Sequence, residues 1–204
     1  MKRIFTLLFV LTFLFCNVAL AVTPAVKEFN EGNLTKFSTK GHPKSNGLNI
    51  TVSYPNSWIA KEGEHPHIVQ KFVSPNSRGY EMFNILIKTL PAIIPENEVV
   101  ELFSSTEMRD LIPDGAIYID SKPTKIEGLP AGILEYSMKS ERAGITFNTQ
   151  IIQYMFIYGT TMVQLQGGVV GQSTTPDALA QYMEEFRPLF FLMANSIVLQ
   201  DKWN

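Results

Sequence analysis

Apolar and polar residues alternate along much of the chain, most extensively between Ile145 and Gly168. Side chains of a strand point to opposite faces in turn, so both faces of the first strand here are apolar: one carries Phe147, Ile151, Met155 and Ile157, the other Ile152, Tyr154, Phe156 and Tyr158. Gly159 stands first in the loop Gly159-Thr160, as a type II′ turn requires. We therefore predict a hairpin that is buried on both faces.

Further alternating segments are separated by turn-forming residues and predict the remaining strands. They are Leu34 to Ser38, Leu48 to Ser53, Ile68 to Val73, Tyr80 to Leu90, Gly115 to Lys122, closed by Pro123, and Ile126 to Lys139. Apart from the short segment at Leu34, residues Val22 to Gly47 are polar and interrupted by glycine, and predict an extended leader.

Two segments have helical periodicity. One begins at Pro95, places Val99, Leu102 and Phe103 on one stripe, and should end between Ser105 and Asp110. The other begins at Pro176 behind the capping residue Thr175 and should continue to about Ser196, with a bend caused by Pro188. A hairpin with two apolar faces needs a cover on each, so we predict an α+β fold: an α/β/α sandwich with a six- or seven-stranded, mainly antiparallel sheet and helices on both faces.

The amino terminus has the features of an export signal. Lys2-Arg3 precedes the apolar run Ile4 to Phe15, and Ala19-Leu20-Ala21 fits a signal-peptidase site, so we expect cleavage after Ala21. An uncleaved anchor is the alternative, although the run is shorter than the ~20 residues of a bilayer span. Cys16 could belong to a lipoprotein signal, but bulky Phe15 occupies a position where such signals have a small residue. We expect residues 22–47 to form the leader and residues 48–204 a single domain in the periplasm or outside the cell.

Composition excludes several classes of function for the mature chain. Cys16 is the only cysteine, so cleavage removes any disulfide or thiol nucleophile. Loss of Lys2 and Arg3 lowers the basic residues from 17 to 15, against 19 acidic residues, and gives a formal charge of −4. Without a basic patch in the sequence, nucleic acid and anionic membrane surfaces are not expected partners.

Two places carry candidate binding residues. Glu64, His65 and His67 are residue types that bind zinc or copper, but Pro66 extends the backbone between the histidines, and a solvated loop is the alternative. Trp58 follows a strand-ending turn and could stack on a ligand or partner, or could close the edge of the core. No cofactor is predicted.

Catalytic motifs are absent from the sequence. There is no G-x-S-x-G elbow, and all three histidines lie between His42 and His67 in predicted loops. The glycine-bearing link from Gly167 to Pro176 lacks the lysine of a phosphate-binding loop and is better explained as a strand end, a turn and a helix start. We expect the protein not to be an enzyme, although carboxylates distant in sequence could still meet in the fold.

Three segments between Leu48 and Leu199 resemble the PsbP-like superfamily, which includes the photosystem II extrinsic protein, the bacterial DcrB-like envelope proteins and a Ran-binding nuclear import factor. They are Ile50-Thr51-Val52-Ser53-Tyr54-Pro55-Asn56-Ser57-Trp58, Gly128-Leu129-Pro130-Ala131 and Met193-Ala194-Asn195-Ser196-Ile197. The resemblance implies the α/β/α sandwich and brings no catalytic residues or shared task. The expected function is an exported accessory or protein-interaction domain with an unknown protein partner; the alternative is a carrier of a small molecule or metal ion.

Overall fold

The computed structural model describes residues 23–75, 80–104 and 106–203. The expected signal peptide lies outside these residues. Within them the strands are β1 (Leu34–Ser38), β2 (Ile50–Pro55), β3 (Ile59–Glu62), β4 (Ile68–Val73), β5 (Tyr80–Thr89), β6 (Ile117–Ile126), β7 (Leu129–Arg142), β8 (Ile145–Tyr158), β9 (Thr161–Gln172) and β10 (Val198–Leu199). The α-helices are α1 (Pro24–Asn30), α2 (Glu96–Leu102) and α3 (Pro176–Asn195), and Glu107–Leu111 forms a 3₁₀ helix after α2.

Seven strands form the main sheet, in the order β3-β4-β5-β9-β8-β7-β6. Every neighbouring pair in it is antiparallel. The hairpin of β8 and β9 occupies the middle, with Tyr158 paired to Thr161 around the two-residue loop. Gly159 has a φ of 59°, and Thr160 is not among the residues with positive φ, which fits the predicted type II′ turn. The predicted hairpin and fold class are confirmed.

One face of the main sheet is covered by α3. The register places Phe83 beside Gly167 and Ile152 across from it, so these residues share this face with Leu165. Phe83 stacks on Phe190 of α3 at a centroid distance of 6.2 Å. Gly167 lies directly under the Phe190 ring, and a Cβ atom at this position would collide with it. We call this side of the sheet the α3 face.

The opposite face is covered in part by α2 and the 3₁₀ helix, and we call it the α2 face. A second apolar cluster forms there, in which Val99, Phe103 and Met108 pack against Leu134, Tyr136, Met155 and Ile157. The two helices that follow Pro95 and Pro176 therefore lie on opposite faces, as the two apolar faces of the hairpin predicted.

Several predictions about the periphery need correction. The strand near Leu48 does not join the main sheet: β2 pairs with β1 and β10 in a separate three-stranded sheet. The leader is not extended throughout, because Thr23 caps helix α1 with Pro24 in its first turn. Strand β6 continues past Pro123 to Ile126. An edge strand tolerates a proline because one of its sides has no neighbouring strand, so the missing N–H group need not cost a hydrogen bond of the sheet.

Both predicted helices begin close to where expected. The Thr175 side chain accepts a hydrogen bond from the Ala178 amide at 3.3 Å, and α3 runs without interruption through Pro188 to Asn195. Helix α2 is shorter than the predicted range and ends at Leu102. No helix in the described ranges is both long enough and apolar enough to cross a lipid bilayer.

Candidate functional site

The predicted metal-binding residues lie in the loop between β3 and β4, where Glu64, His65 and His67 are all exposed. Glu64 and His67 lie at the rim of the same open depression, which His65 does not line. In the part of the chain that the structure describes, no three His, Cys, Asp or Glu side chains are grouped so that they could hold a metal ion. A zinc or copper site here stays a prediction from the sequence.

Glu64 makes an ion pair in the structure. Its Oε1 atom lies 2.8 Å from Nζ of Lys71. This hydrogen-bonded lysine is the main reason that the pKa of the Glu64 carboxyl is lowered, and the charges of His65 and Arg142 lower it further. A metal ion would therefore compete with Lys71 for this carboxylate.

Trp58, the second candidate, is 4% exposed. Its indole packs edge-on against Phe190 with a centroid distance of 6.4 Å. It also lines a cavity of about 370 Å³ between α1, α3 and the end of β4, together with Tyr182 and Phe186. This placement is that of the core alternative, and any role in ligand stacking would use only the ring edge that faces the cavity.

A larger groove lies on the α2 face, beyond the area that α2 covers. Helix α2 has 7 residues and α3 has 20, so the second cover is much smaller than the first. The groove has a volume of about 480 Å³ and crosses the sheet from β3 to β7. It is lined by Lys61, Glu64, Lys71, Val73, Tyr80, Met82, Ser140, Arg142, Phe147, Thr149 and Val170. We call it the sheet groove.

Three cations border the sheet groove. Lys61 and Lys71 are register partners on β3 and β4, an arrangement in which like charges repel. Arg142 reaches the groove from the end of β7, on the opposite rim. Its charge contributes to the lowered pKa of Glu64, although three strands separate β4 from β7. Glu64 is the only carboxylate among the described residues of the lining, and it is already bound to Lys71.

The floor of the sheet groove is apolar, with polar groups between the apolar ones. Met82, Phe147 and Val170 are half-buried, and the Tyr80 side chain at one end is 63% exposed. Thr149 on β8 places a hydroxyl group among these apolar side chains, and Ser140 places another beside Arg142 on β7. An occupant would meet apolar surface in the middle of the groove and positive charge at both sides.

A row of amide side chains crosses the α2 face from β5 to β8, next to the cluster beneath α2. Gln166 donates hydrogen bonds to Oε1 of Gln153 at 2.7 Å and to the hydroxyl of Tyr136 at 3.2 Å. Burial raises the pKa of Tyr136 to about 12, so this phenol stays protonated at neutral pH. The neighbouring Oδ1 of Asn84 is buried without a hydrogen-bond partner in the described residues. Polar groups thus occupy positions where the α3 face has aliphatic and aromatic side chains.

An ion cluster on the α3 face has a different character. Arg187 donates two hydrogen bonds to Glu135, at 2.8 and 2.9 Å, and Gln150 donates a third at 2.6 Å. Glu184, one turn before Arg187, accepts from the same guanidinium. The Glu135 hydrogen bonds are the main reason that the pKa of Arg187 is raised. Tyr154 lines the adjacent cavity of about 280 Å³, and burial raises the pKa of its phenol. The charged groups satisfy one another, so the cluster anchors α3 to the sheet.

The sequence did not predict the sheet groove. Its cations, Lys61, Lys71 and Arg142, are far apart along the chain and form no linear motif. The alternation in β7 and β8 could have placed Arg142 and Phe147 on the same face, but it could not have given the strand order that puts β4 and β7 on the two sides of one groove.

Comparison with known proteins gives similarity of fold only. No family model matches the chain, and no curated protein matches it. Among solved structures, the chain is similar to LpqN of Mycobacterium tuberculosis, described as involved in cell envelope biogenesis, with a TM-score of 0.47, 13% identity and coverage of 87% of this chain and 98% of that one. A structure from Bacteroides thetaiotaomicron has a TM-score of 0.39 and 11% identity over 76% of this chain, which spans 46% of that protein. Membership of the PsbP-like superfamily therefore stays a prediction from the sequence segments.

Proposed function

We propose that this protein is an exported, non-enzymatic binding domain of the bacterial envelope or extracellular space, and that it contacts a protein partner through the sheet groove. The observation that carries the proposal is the incomplete cover of the α2 face. A groove of about 480 Å³ stays open beside α2, with Tyr80 63% exposed at its end. Export rests on Lys2-Arg3, the apolar run and the small residues Ala19 and Ala21.

Exposed apolar surface supports the choice of this face. Soluble proteins bury most large apolar side chains, and contiguous exposed patches with polar rims are typical of binding sites. Met82, Phe147 and Val170 form such a floor between the charged rims. On the α3 face the corresponding central positions are buried beneath α3. A partner would gain binding energy by covering the sheet groove.

The lining also supports binding rather than catalysis. General acid–base catalysis uses a histidine, a free carboxylate or a group with a suitably shifted pKa. Among the residues that the structure describes, no histidine lines the sheet groove, and Glu64, the single carboxylate of this lining, is bound to Lys71. The remaining charged groups, Lys61 and Arg142, are suited to holding an anion in place.

A small-molecule carrier is the second candidate function. The volume of the sheet groove lies within the roughly 300–1,000 Å³ that small-molecule pockets have. Native mass spectrometry of the protein purified from its own compartment would separate the two. A bound small molecule, together with no partner at Tyr80 in the experiment below, would favour the carrier.

Site-specific photocross-linking tests the proposed function. A benzophenone amino acid would replace Tyr80 in the sheet groove and, in a matched variant, Phe191, which is 52% exposed on α3. Both substitutions replace an exposed aromatic residue, and the two positions lie on opposite sides of the molecule. We expect a discrete cross-linked product in the producing cells from position 80 and not from position 191. Equal products from both positions, or a product from 191 alone, would contradict the proposal.

A further inference from the structure

We infer that the occupant of the sheet groove is an acidic, extended polypeptide segment with apolar side chains between its carboxylates. This inference rests on the proposed function and names the chemistry of the partner. Three observations carry it: the cations on both rims, the hydroxyl groups in the lining, and the length of the groove across the strands.

The charges of the sheet groove oppose those of the whole protein. The chain has a formal charge of −2, yet the described residues that line this groove include three cations and one carboxylate. Lys61 and Lys71 lie opposite each other on adjacent strands, and Glu64 neutralises only Lys71. In the described part of the chain, neither Lys61 nor Arg142 has an ion-pair partner within 4.0 Å. An incoming carboxylate would relieve the repulsion between the lysines and give Arg142 a bidentate partner.

The distribution of polar groups favours a peptide over an anionic amphiphile. An amphiphile has one charged end and needs a continuous apolar channel for its tail. Here positive charge lies on both rims, with Arg142 on one and Lys61 on the other, and the hydroxyl of Thr149 interrupts the apolar floor. A peptide carries hydrogen-bonding groups at every residue and can carry carboxylates at several positions.

The length of the groove fits a short segment of extended chain. Four strand spacings of about 4.8 Å separate β4 from β7, which gives about 19 Å along the sheet. About six extended residues at ~3.3 Å each span this distance. Alternate side chains would then point to the floor formed by Met82, Phe147 and Val170, and the others to the charged rims.

Fluorescence anisotropy with defined peptides tests the inference. The probe is a fluorescein-labelled octapeptide of alternating glutamate and leucine; its controls replace every glutamate with glutamine or with lysine. We expect the glutamate peptide to bind the mature protein at least about tenfold more tightly than the glutamine peptide, the lysine peptide not to bind, and added salt to weaken binding. Failure of the glutamate peptide to bind at about 1 mM, or equal binding of the glutamate and glutamine peptides, would overturn the inference.

Charge-reversal variants locate the binding. Lys61→Glu and Arg142→Glu should each weaken binding of the glutamate peptide by about tenfold or more. The matched control is Lys139→Glu, an exposed lysine on β7 whose alternation places it on the other face, and it should leave binding unchanged. Unchanged circular dichroism and melting temperature would show that all variants fold. Equal losses from Lys139→Glu and Arg142→Glu would overturn the inference, because the attraction would then be non-specific.

Two further results separate this inference from the proposed function. Calorimetric binding of sodium dodecanoate that depends on Arg142, without binding of the glutamate peptide, would identify an anionic amphiphile and overturn the inference. A cross-link at position 80 that persists unchanged in Lys61→Glu and Arg142→Glu variants would leave the proposed function intact and overturn the acidic partner. Loss of that cross-link in both variants, but not in Lys139→Glu, would support both proposals.

Discussion

The two faces of the main sheet are built from the same strands but are covered in different ways. On the α3 face, a 20-residue helix buries a continuous cluster of aromatic and aliphatic side chains, and its Arg187 pairs with Glu135 of the sheet. On the α2 face, a 7-residue helix covers part of the strands, amides lie in the interior, and a groove stays open. The difference indicates a division of roles, in which one face supplies stability and the other supplies a surface for recognition.

The largest expected difference concerns one buried phenylalanine on each face. Phe190→Ala on α3 should lower the free energy of unfolding by about 4 kcal/mol, because the ring is fully buried against Phe83, Trp58 and Phe186. Phe103→Ala beside α2 should cost only about 2 kcal/mol, since Met108 and Met155 are flexible enough to fill part of the space. Chemical denaturation measures both values. Equal losses would contradict a division of stability between the faces.

The next largest expected loss of stability comes from breaking the ion pair that anchors α3. Arg187→Met should lower the free energy of unfolding by about 2 to 3 kcal/mol, because it leaves the buried Glu135 carboxylate without its main partner. Glu184→Gln, at an exposed partner of the same arginine, should cost less than about 1 kcal/mol. The double variant Arg187→Met/Glu135→Leu should recover much of the loss. A double variant no more stable than Arg187→Met would argue against this explanation.

Substitution of one glycine on each face compares how tightly the two faces of the sheet are packed. Gly167→Ala should destabilise the protein by about 2 kcal/mol, because the new methyl group would meet the rigid ring of Phe190. Gly132→Ala on the α2 face should cost about 1 kcal/mol, since its nearest neighbour is the flexible end of Met108. Thermal and chemical denaturation of the two variants provides the comparison. The reverse order would indicate that the α2 face is the more rigid.

The smallest effect depends on pH and involves Glu81 at the edge of the α3 face. This carboxyl is fully buried, and neither oxygen has a hydrogen-bond partner of good geometry in the described residues. Desolvation is the main cause that raises its pKa above 4.5; the charge of Glu185 adds to this, and the side chain of Ser74 partly offsets it. The folded state therefore binds the proton more tightly than the unfolded state does. The stabilisation that this proton gives to the folded state is complete below pH 4.5 and is lost as the pH rises through the folded-state pKa.

Glu81→Gln removes this titration. The variant should be more stable than the wild type by about 1 kcal/mol at pH 7.5, with a smaller difference at pH 4.5. Urea denaturation at the two pH values gives the difference directly. A gain that is the same at both pH values would show that ionisation of Glu81 is not the cause.

The sequence predicted the central architecture because local signals and burial agree there. Gly159 indicated the turn. Apolar residues at both odd and even positions of β8 required a cover on each face of the sheet. Thr175 and Pro176 marked the start of α3. The same Thr-Pro signal stands at Thr23 and Pro24, and it could have predicted α1 in place of an extended leader.

Other features depend on long-range geometry. Alternation in β2 showed a strand but not its partners, so the separate sheet with β1 and β10 was missed. Pro123 suggested a strand end because the sequence does not reveal that β6 lies at an edge. The sheet groove depends on the order of the strands in the sheet and on the shortness of α2, neither of which has a signature in the sequence.

Cysteine labelling tests most directly whether the sheet groove is the binding surface. With Cys16 replaced by serine, the chain has no cysteine, so single cysteines can be introduced. Thr149→Cys lies in the groove, and Thr124→Cys is the matched control on the α3 face of β6; both threonines are half-buried on strands. The measurement is the maleimide labelling rate in producing cells relative to the purified protein. We predict slower labelling in cells at position 149 and an unchanged rate at position 124. Slower labelling in cells at position 124 alone, or the same rate in cells relative to the purified protein at both positions, would contradict the account.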